Sequence, residues 1–360
     1  MKNFSKEAQR AVIYLDSFPK LDYKYKTAIL DDVGDIEKLY EALPSYRSLL
    51  VKAMGEGADE LLRGANKEGE ERVLSRLKEK GIMPVTRGNK YYPEALEASA
   101  APPWVLYTKG NLELLKGRKF AVVGSRKTPQ AEQKIAEEFS AAIADRMTVV
   151  TGLAEGADSA ALRGALKKKN VISVLAYGFD HVYPEQNRGL LQEAEKNGLV
   201  VTEYPPEVPA FKSQFPVRNR IIAGLSEGVL IVSAREKSGA LYTASYAATY
   251  GRDVFAFPYR IGEAAGKGCN ALIKQGAALC DKPEDVLSSY GFTVEEAAPD
   301  LPLSPEEASV LALLREEEST ADVLSEKAGI PVFLVLPALS SLEISGYIAK
   351  SGADTYRALK

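Results

Sequence analysis

The run Phe215-Pro-Val-Arg-Asn-Arg-Ile-Ile-Ala-Gly-Leu225 concentrates the charge and amide groups most able to hold an anion. Arg218, Asn219 and Arg220 stand immediately ahead of Ile221, Ile222 and Leu225, whose spacing predicts one apolar face of a helix. Pro216 fixes its own φ near the helical value, so this reading places both cations in or beside the first turn. A helix start already offers unpaired N–H groups and a partial positive charge, and added cations oppose its dipole. They gain a purpose there if an anion is bound. The same arginines could instead pair with carboxylates or lie along the core, so the run counts only together with its neighbours.

Two further turns supply similar groups. Gly124-Ser125-Arg126 ends an apolar run, and Thr128-Pro129 then supplies an N-cap and an N1 proline for the next helix. Glycine admits a ligand to the backbone, Ser125 offers a hydroxyl and Arg126 a charged fork. Ser238-Gly239, with Thr243 four residues on, repeats the hydroxyl and glycine at another helix start. Lys212 and Phe215 pair a cation with an aromatic, the combination that stacks a base above a held phosphate; Phe215 can equally be core. The loop Thr151-Gly-Leu-Ala-Glu-Gly-Ala-Asp158 reads as close-packed, with Asp158 expected to cap the following helix.

None of these turns carries a nucleophile with a partner. His181, the sole histidine, lacks a cysteine, a Ser–Asp pair or a second histidine nearby and reads as structural. Cys269 and Cys280 have neither metal nor redox spacing. There is no G-x-G-x-x-G and no Walker loop. The expectation is binding rather than catalysis, with no metal and no cofactor.

The elements that must position these groups follow from the apolar runs. Phe120–Val123, Thr148–Thr151, Val171–Leu175, Leu199–Thr202, Val229–Val232 and Asp253–Phe257 are short and nearly continuous in apolar residues, and helix-like segments separate them. That alternation predicts an α/β fold with a doubly wound, mainly parallel Rossmann-like sheet over residues 81–290, with ligands beyond the strands' carboxyl ends. Residues 1–80 read as a small helical, SAM-like module, with helices at Lys6–Leu15, Ile36–Leu43 and 65–80. Residues 291–303, rich in acid and proline, read as a linker. Residues 304–360 give three helices and a hairpin at 346–352, a winged-helix pattern. Its third helix, Pro331–Ile344, carries no Lys or Arg and follows a strongly acidic stretch, which favours a protein-contact or dimer module over groove reading.

The chain has 360 residues, 46% hydrophobic and 26% charged, enough for two or three domains with a sizeable core. A net charge of −3 argues against binding nucleic acid through overall charge, so any anion site must be local. No apolar run approaches a bilayer span, and the opening residues lack signal-peptide features, so a cytoplasmic protein without membrane association is expected.

Taken in order, Tyr92-Pro-Glu-Ala-Leu96, Val123-Gly-Ser-Arg126, Gly152-Leu-Ala-Glu-Gly156, Tyr183-Pro184, Phe215–Leu225, Ser238-Gly-Ala-Leu241 with Thr243, and Asn270–Ala277 resemble the DprA/Smf family of bacterial DNA-processing proteins. The resemblance implies an extended Rossmann-like domain that binds single-stranded DNA, protects incoming strands in natural transformation, dimerises and helps load the RecA recombinase. By the same analogy the phosphate pocket falls on Gly124, Ser125, Arg126, Arg218, Asn219, Arg220, Ser238, Gly239 and Thr243, with Lys212 and Phe215 as adjoining backbone and base contacts. The chain departs from the pattern at Ala161, Ser233 and Tyr259, where the family usually has His, Glu and Gly, as a divergent member would. Two alternatives use the same pocket: a nucleotide-binding sensor, and a nucleotide phosphoribohydrolase-like enzyme with Glu236 as its acid.

Overall fold

The computed structural model describes residues 4–293, 303–352 and 354–359, which divide into two compact units meeting at Phe292–Thr293. Most of the expected linker, 291–303, lies outside the described residues.

The first unit is built on nine strands: β1 (Met83–Thr86), β2 (Val105–Gly110), β3 (Lys119–Val123), β4 (Thr148–Thr151), β5 (Val171–Val174), β6 (Leu199–Thr202), β7 (Gly228–Ile231), β8 (Asp253–Ala256) and β9 (Ala278–Leu279). Their order is β1-β2-β6-β5-β4-β3-β7-β8-β9. From β6 across to β9 every neighbouring pair is parallel; β2 runs antiparallel to β6, and β1 to β2. β3 to β7 are buried along their whole length, which accounts for their apolar runs. The helices Gln130–Ala144 and Ala157–Leu166 cover one face, and Gln214–Leu225 and Ala240–Thr249 the other, each layer closing its own core.

The chain lays down β3 to β6 in one direction, then returns to the far side of β3 for β7. Strand order therefore reverses between β3 and β7, and such a switch point opens a crevice at the carboxyl ends. The six expected strands coincide with β3–β8 to within a residue or two. The additional strands β1, β2 and β9 lie at the sheet's margins and escape a reading based on strand–helix alternation: β1 and β2 are antiparallel, and β9 has two residues.

Five α-helices, Lys6–Asp16, Tyr23–Val33, Arg47–Met54, Gly57–Arg63 and Lys67–Glu79, dominate the front of the unit. They share a core with Trp104, Val105 and Tyr107 at the sheet margin. A buried Lys26–Asp16 pair at 3.0 Å, with the Tyr107 hydroxyl donating to Asp16 at 2.8 Å, joins the front helices to β2. Burial holds the Tyr107 hydroxyl well above its ordinary range. The front and the sheet thus form one compact unit.

The second unit has helices Pro305–Glu316, Ala321–Ala328 and Val332–Ile344, with strands β10 (Ser319–Thr320), β11 (Ile348–Lys350) and β12 (Thr355–Ala358) in the order β10-β12-β11. Ser304 and Glu307 form a reciprocal cap at the first helix, at 3.1 and 2.7 Å. The ribbon extends beyond the expected 346–352, because its return strand is β12. Three helices and a three-stranded sheet make a winged helix around Val310, Leu324, Val335, Leu339 and Leu342. Among the described residues no single helix is long and apolar enough to cross a membrane.

Candidate functional site

At the switch point the ends of β3, β4 and β7 and two helices enclose an open cavity of about 290 Å³. It brings together Gly124, Ser125 and Arg126 after β3, Phe215, Arg218 and Asn219 on Gln214–Leu225, and Ser238, Gly239 and Thr243 at Ala240–Thr249. Nine of the eleven site residues expected from sequence thus line one space.

The other two do not line it. Arg220 is two residues from Arg218, and residues so spaced do not share a helix face. It turns away to a separate cavity beside Tyr23 and Tyr204, where it donates to the Ala101 carbonyl at 2.6 Å and pairs with the buried Glu203. There it joins the helix Gln214–Leu225 to the segment before β2 and the end of β6, and its guanidinium lies 5.5 Å from the Tyr23 ring of the front helices. Lys212 is exposed on the turn before the helix and is not among the lining residues. The expected helix start is also corrected: the helix opens at Gln214, so both arginines fall in its second turn rather than at its amine end. The start of Ala240–Thr249 lines the cavity, and the starts of Ala157–Leu166 and Gln214–Leu225 reach it through Asp158, Phe215 and Pro216.

Arg218 is held from several sides. It is 4% exposed, its guanidinium donates to the Val174 carbonyl and, through Nε, to Asn219 Oδ1 at 3.1 Å, and it lies 3.8 Å from the Asp158 carboxylate. Contrary to the expectation from sequence, Asp158 does not cap its helix; it stands within the first turn, where the Gly124 and Ala154 backbone favours its charged form. Burial pushes the Asp158 carboxyl up and the Arg218 guanidinium down, while their mutual attraction opposes both shifts. A Cβ on Gly152 would fall 2.2 Å from the Asp158 carboxylate and 2.6 Å from Arg218, so only glycine leaves room for the pair. Arg218 therefore shapes the cavity wall with its charge already largely matched.

The unmatched charge lies at the rim. Arg126 is exposed and stacks over Phe215 at 4.6 Å and Tyr183 at 5.7 Å, and the two rings meet edge to face at 5.5 Å. Arg235 and Lys237, also exposed, line the cavity as well. The sequence pattern singled out neither, and Tyr183, quoted above only as part of a motif, stands beside Arg126 and Phe215; the signal was their place beside a glycine turn and an X-Pro step. Inside, the buried Thr243 hydroxyl has no hydrogen-bond partner among the described residues and Gly239 presents open backbone. A site with the Thr243 hydroxyl, the further hydroxyls of Ser125 and Ser238 and rim cations fits a phosphate, and the aromatic pair beside it fits a base.

The other residues with chemical potential are engaged elsewhere. A His181 ring nitrogen meets the Glu207 carbonyl at 2.9 Å. Glu236 is exposed, lies 3.5 Å from Lys267 and does not line the cavity. Burial pushes the thiols of Cys269 and Cys280 up to about 12.

Comparison with known proteins finds relatives of most of the chain. The family model described as DNA recombination-mediator protein A matches residues 83–291. The chain belongs to the DprA/Smf family. A second family model, the DprA winged helix domain, matches residues 294–353. Among curated relatives, Protein Smf of Escherichia coli K12 is 38% identical over 275 residues, spanning 72% of this chain and 73% of its own. DNA processing protein DprA of Bacillus subtilis 168 is 39% identical over 218 residues, 60% of this chain and 73% of its own. Of solved structures, DprA from Streptococcus pneumoniae superposes with a TM-score of 0.65 at 30% identity, covering 82% of this chain and all of that one. DprA from Helicobacter pylori, described for its single-stranded DNA binding mode, gives 0.52 at 29% identity, covering 55% and 92%.

Within the DprA/Smf family, the departures of this member have local structural roles. The Ser233 hydroxyl meets Thr128 Oγ1 at 2.5 Å and accepts from the Ser125 amide at 3.2 Å, so it braces the Gly124–Arg126 turn from beneath. Tyr259 donates to the Val232 carbonyl at 2.9 Å and packs where Gly266 leaves it room, since a Cβ there would sit 1.8 Å from the ring. Ala161 is fully buried in the core.

Proposed function

We propose that this DprA/Smf member binds single-stranded DNA through the switch-point cavity, with a backbone phosphate inside and a base against Phe215 and Tyr183. The observation that carries the reading is the coincidence in one cavity of the unpartnered Thr243 hydroxyl, the Ala240–Thr249 helix start and Arg126 stacked on aromatic rings. The phosphate subsite combines Ser125, Ser238, Gly239, Thr243 and Asn219; Arg126, Arg235 and Lys237 steer the strand. A base-stacking platform suits an unpaired strand, because bases in a duplex keep their faces against one another.

In this reading the protein acts in the cytoplasm on strands entering recombination or transformation. It shields them, and as a homodimer it passes them to the RecA recombinase. Dimerisation is supported by the sheet's open edge at β9, where Leu279 is exposed, and by Ile261, which lies bare on the loop after β8. The H. pylori relative's described mode of binding supports the ligand class.

The test compares a single strand and a duplex of equal length at physiological salt. Tighter binding of the single strand is expected; equal or better duplex binding overturns the reading. Incubation with nucleoside monophosphates is expected to release no base, and steady release abolished by Glu236→Gln would establish a hydrolase instead.

A further inference from the structure

The winged-helix unit carries a surface that strand binding does not use. Its helix Val332–Ile344 is apolar apart from Ser340, Ser341 and Glu343, a composition that calls for burial of more than one face. Val335, Leu339 and Leu342 are buried in the wing, yet Phe333 is 71% exposed, Leu336 47% and Ile344 88%. With Ser340 these side chains follow one another at three- and four-residue spacing and so form one stripe along the helix. Such a stripe is larger than the scattered apolar exposure of an ordinary surface.

The charge around it has one dominant sign. Glu343 is exposed on the same helix, and Asp322 and Glu326 are exposed one turn apart on Ala321–Ala328, beside the exposed Val323. Between residues 303 and 359 nine acidic side chains stand against four basic ones. One of those four, Lys327, is paired with Glu317.

We propose that this stripe is the docking face for an amphipathic helix of a protein partner, with apolar anchors flanked by lysine and arginine. Duplex DNA would meet no cation on the presented helix. A second copy of the wing would bring two acidic rims together, and an anionic membrane would be repelled in the same way. A basic amphipathic helix gains from both the stripe and the rim.

The test uses the full chain and a labelled helical peptide with leucine and phenylalanine on one face and lysine and arginine at its flanks, read by fluorescence anisotropy. A matched peptide with glutamate at the flanks is expected to bind at least about tenfold more weakly. The pair Phe333→Ser and Ile344→Ser is expected to weaken the basic peptide about tenfold or more, with melting temperature and single-stranded DNA affinity unchanged. Asp322→Asn with Glu326→Gln is expected to weaken it less and to flatten its salt dependence. Equal affinity for the two peptides, no binding of the basic one, or full binding by the serine variant overturns the proposal. So does a serine variant that instead loses self-association in sedimentation, duplex affinity, or flotation with anionic vesicles, since each would identify a different occupant. Peptide binding and DNA binding are measured separately, so the docking face can fail while strand binding stands, and the reverse.

Discussion

The switch-point cavity and the wing are both built on architectures that commonly meet nucleic acid, and they are furnished in opposite ways. The cavity gathers hydroxyls, amides and exposed cations around a small hollow, while the wing presents exposed Phe333 and Ile344 within an acidic surface. Fold alone would have given both the same role; the side chains separate them. The contrast extends into the cavity, where Arg218 is matched and buried while Arg126 stands free at the rim. Cations that build a site and cations that recognise a ligand should therefore respond differently to substitution.

The largest effect belongs to the building cation. Arg218→Ala leaves the Asp158 carboxyl buried without its partner, and a broken buried pair costs about 3–5 kcal/mol of stability. Urea denaturation measures this, and adding Asp158→Asn is expected to recover part of the loss. Unchanged stability in Arg218→Ala would erase the distinction between the two kinds of arginine.

Phe215→Ala comes next, removing about 1–3 kcal/mol of single-stranded DNA affinity with the salt slope nearly unchanged, as loss of stacking requires. Phe215 also packs partly against the core, so its melting temperature is the control. A variant that merely unfolds shows Phe215 to be core. Arg126→Ala is smaller still in consequence for the fold, since its side chain is exposed. It should weaken binding and flatten the log–log salt dependence by roughly 0.7, the share of one phosphate on a single strand. An Arg126→Ala titration that superposes on the parent would remove Arg126 from the interface.

Legibility in the sequence followed the same divide between what is local and what is tertiary. The strands β3–β8 could be read because burial on both faces writes continuous apolar runs. The turns could be read because glycine, hydroxyl and arginine fall together after such runs. Arg220 could not be placed by its neighbours, because its partner Glu203 stands on a different loop and only packing reveals it. The spacing of Arg218 and Arg220 did hold the clue, since residues two apart on a helix diverge. Asp158 escapes its sequence for a related reason: its neighbours suggest a cap, whereas its partner Arg218 stands on another helix, Gln214–Leu225. The acidic, apolar wing was legible almost completely, because charge and hydropathy there need no tertiary knowledge.

The smallest expected effect is the most direct check on the contrast between cavity and wing. Ending the chain at Phe292 removes the second compact unit and leaves the whole cavity in the first. Phosphate contacts dominate affinity for nucleic acid and set its salt dependence, so a unit that contributes none changes neither. The acidic side chains of the wing should, if anything, repel the strand slightly. Truncation is therefore expected to leave single-stranded DNA affinity almost unchanged and to shift the salt slope by less than roughly 0.7, one phosphate's worth. Circular dichroism should show the remaining unit folded. A large fall in affinity with the fold intact would mean that the wing touches DNA through its few cations, and the two regions would then differ in degree rather than in kind.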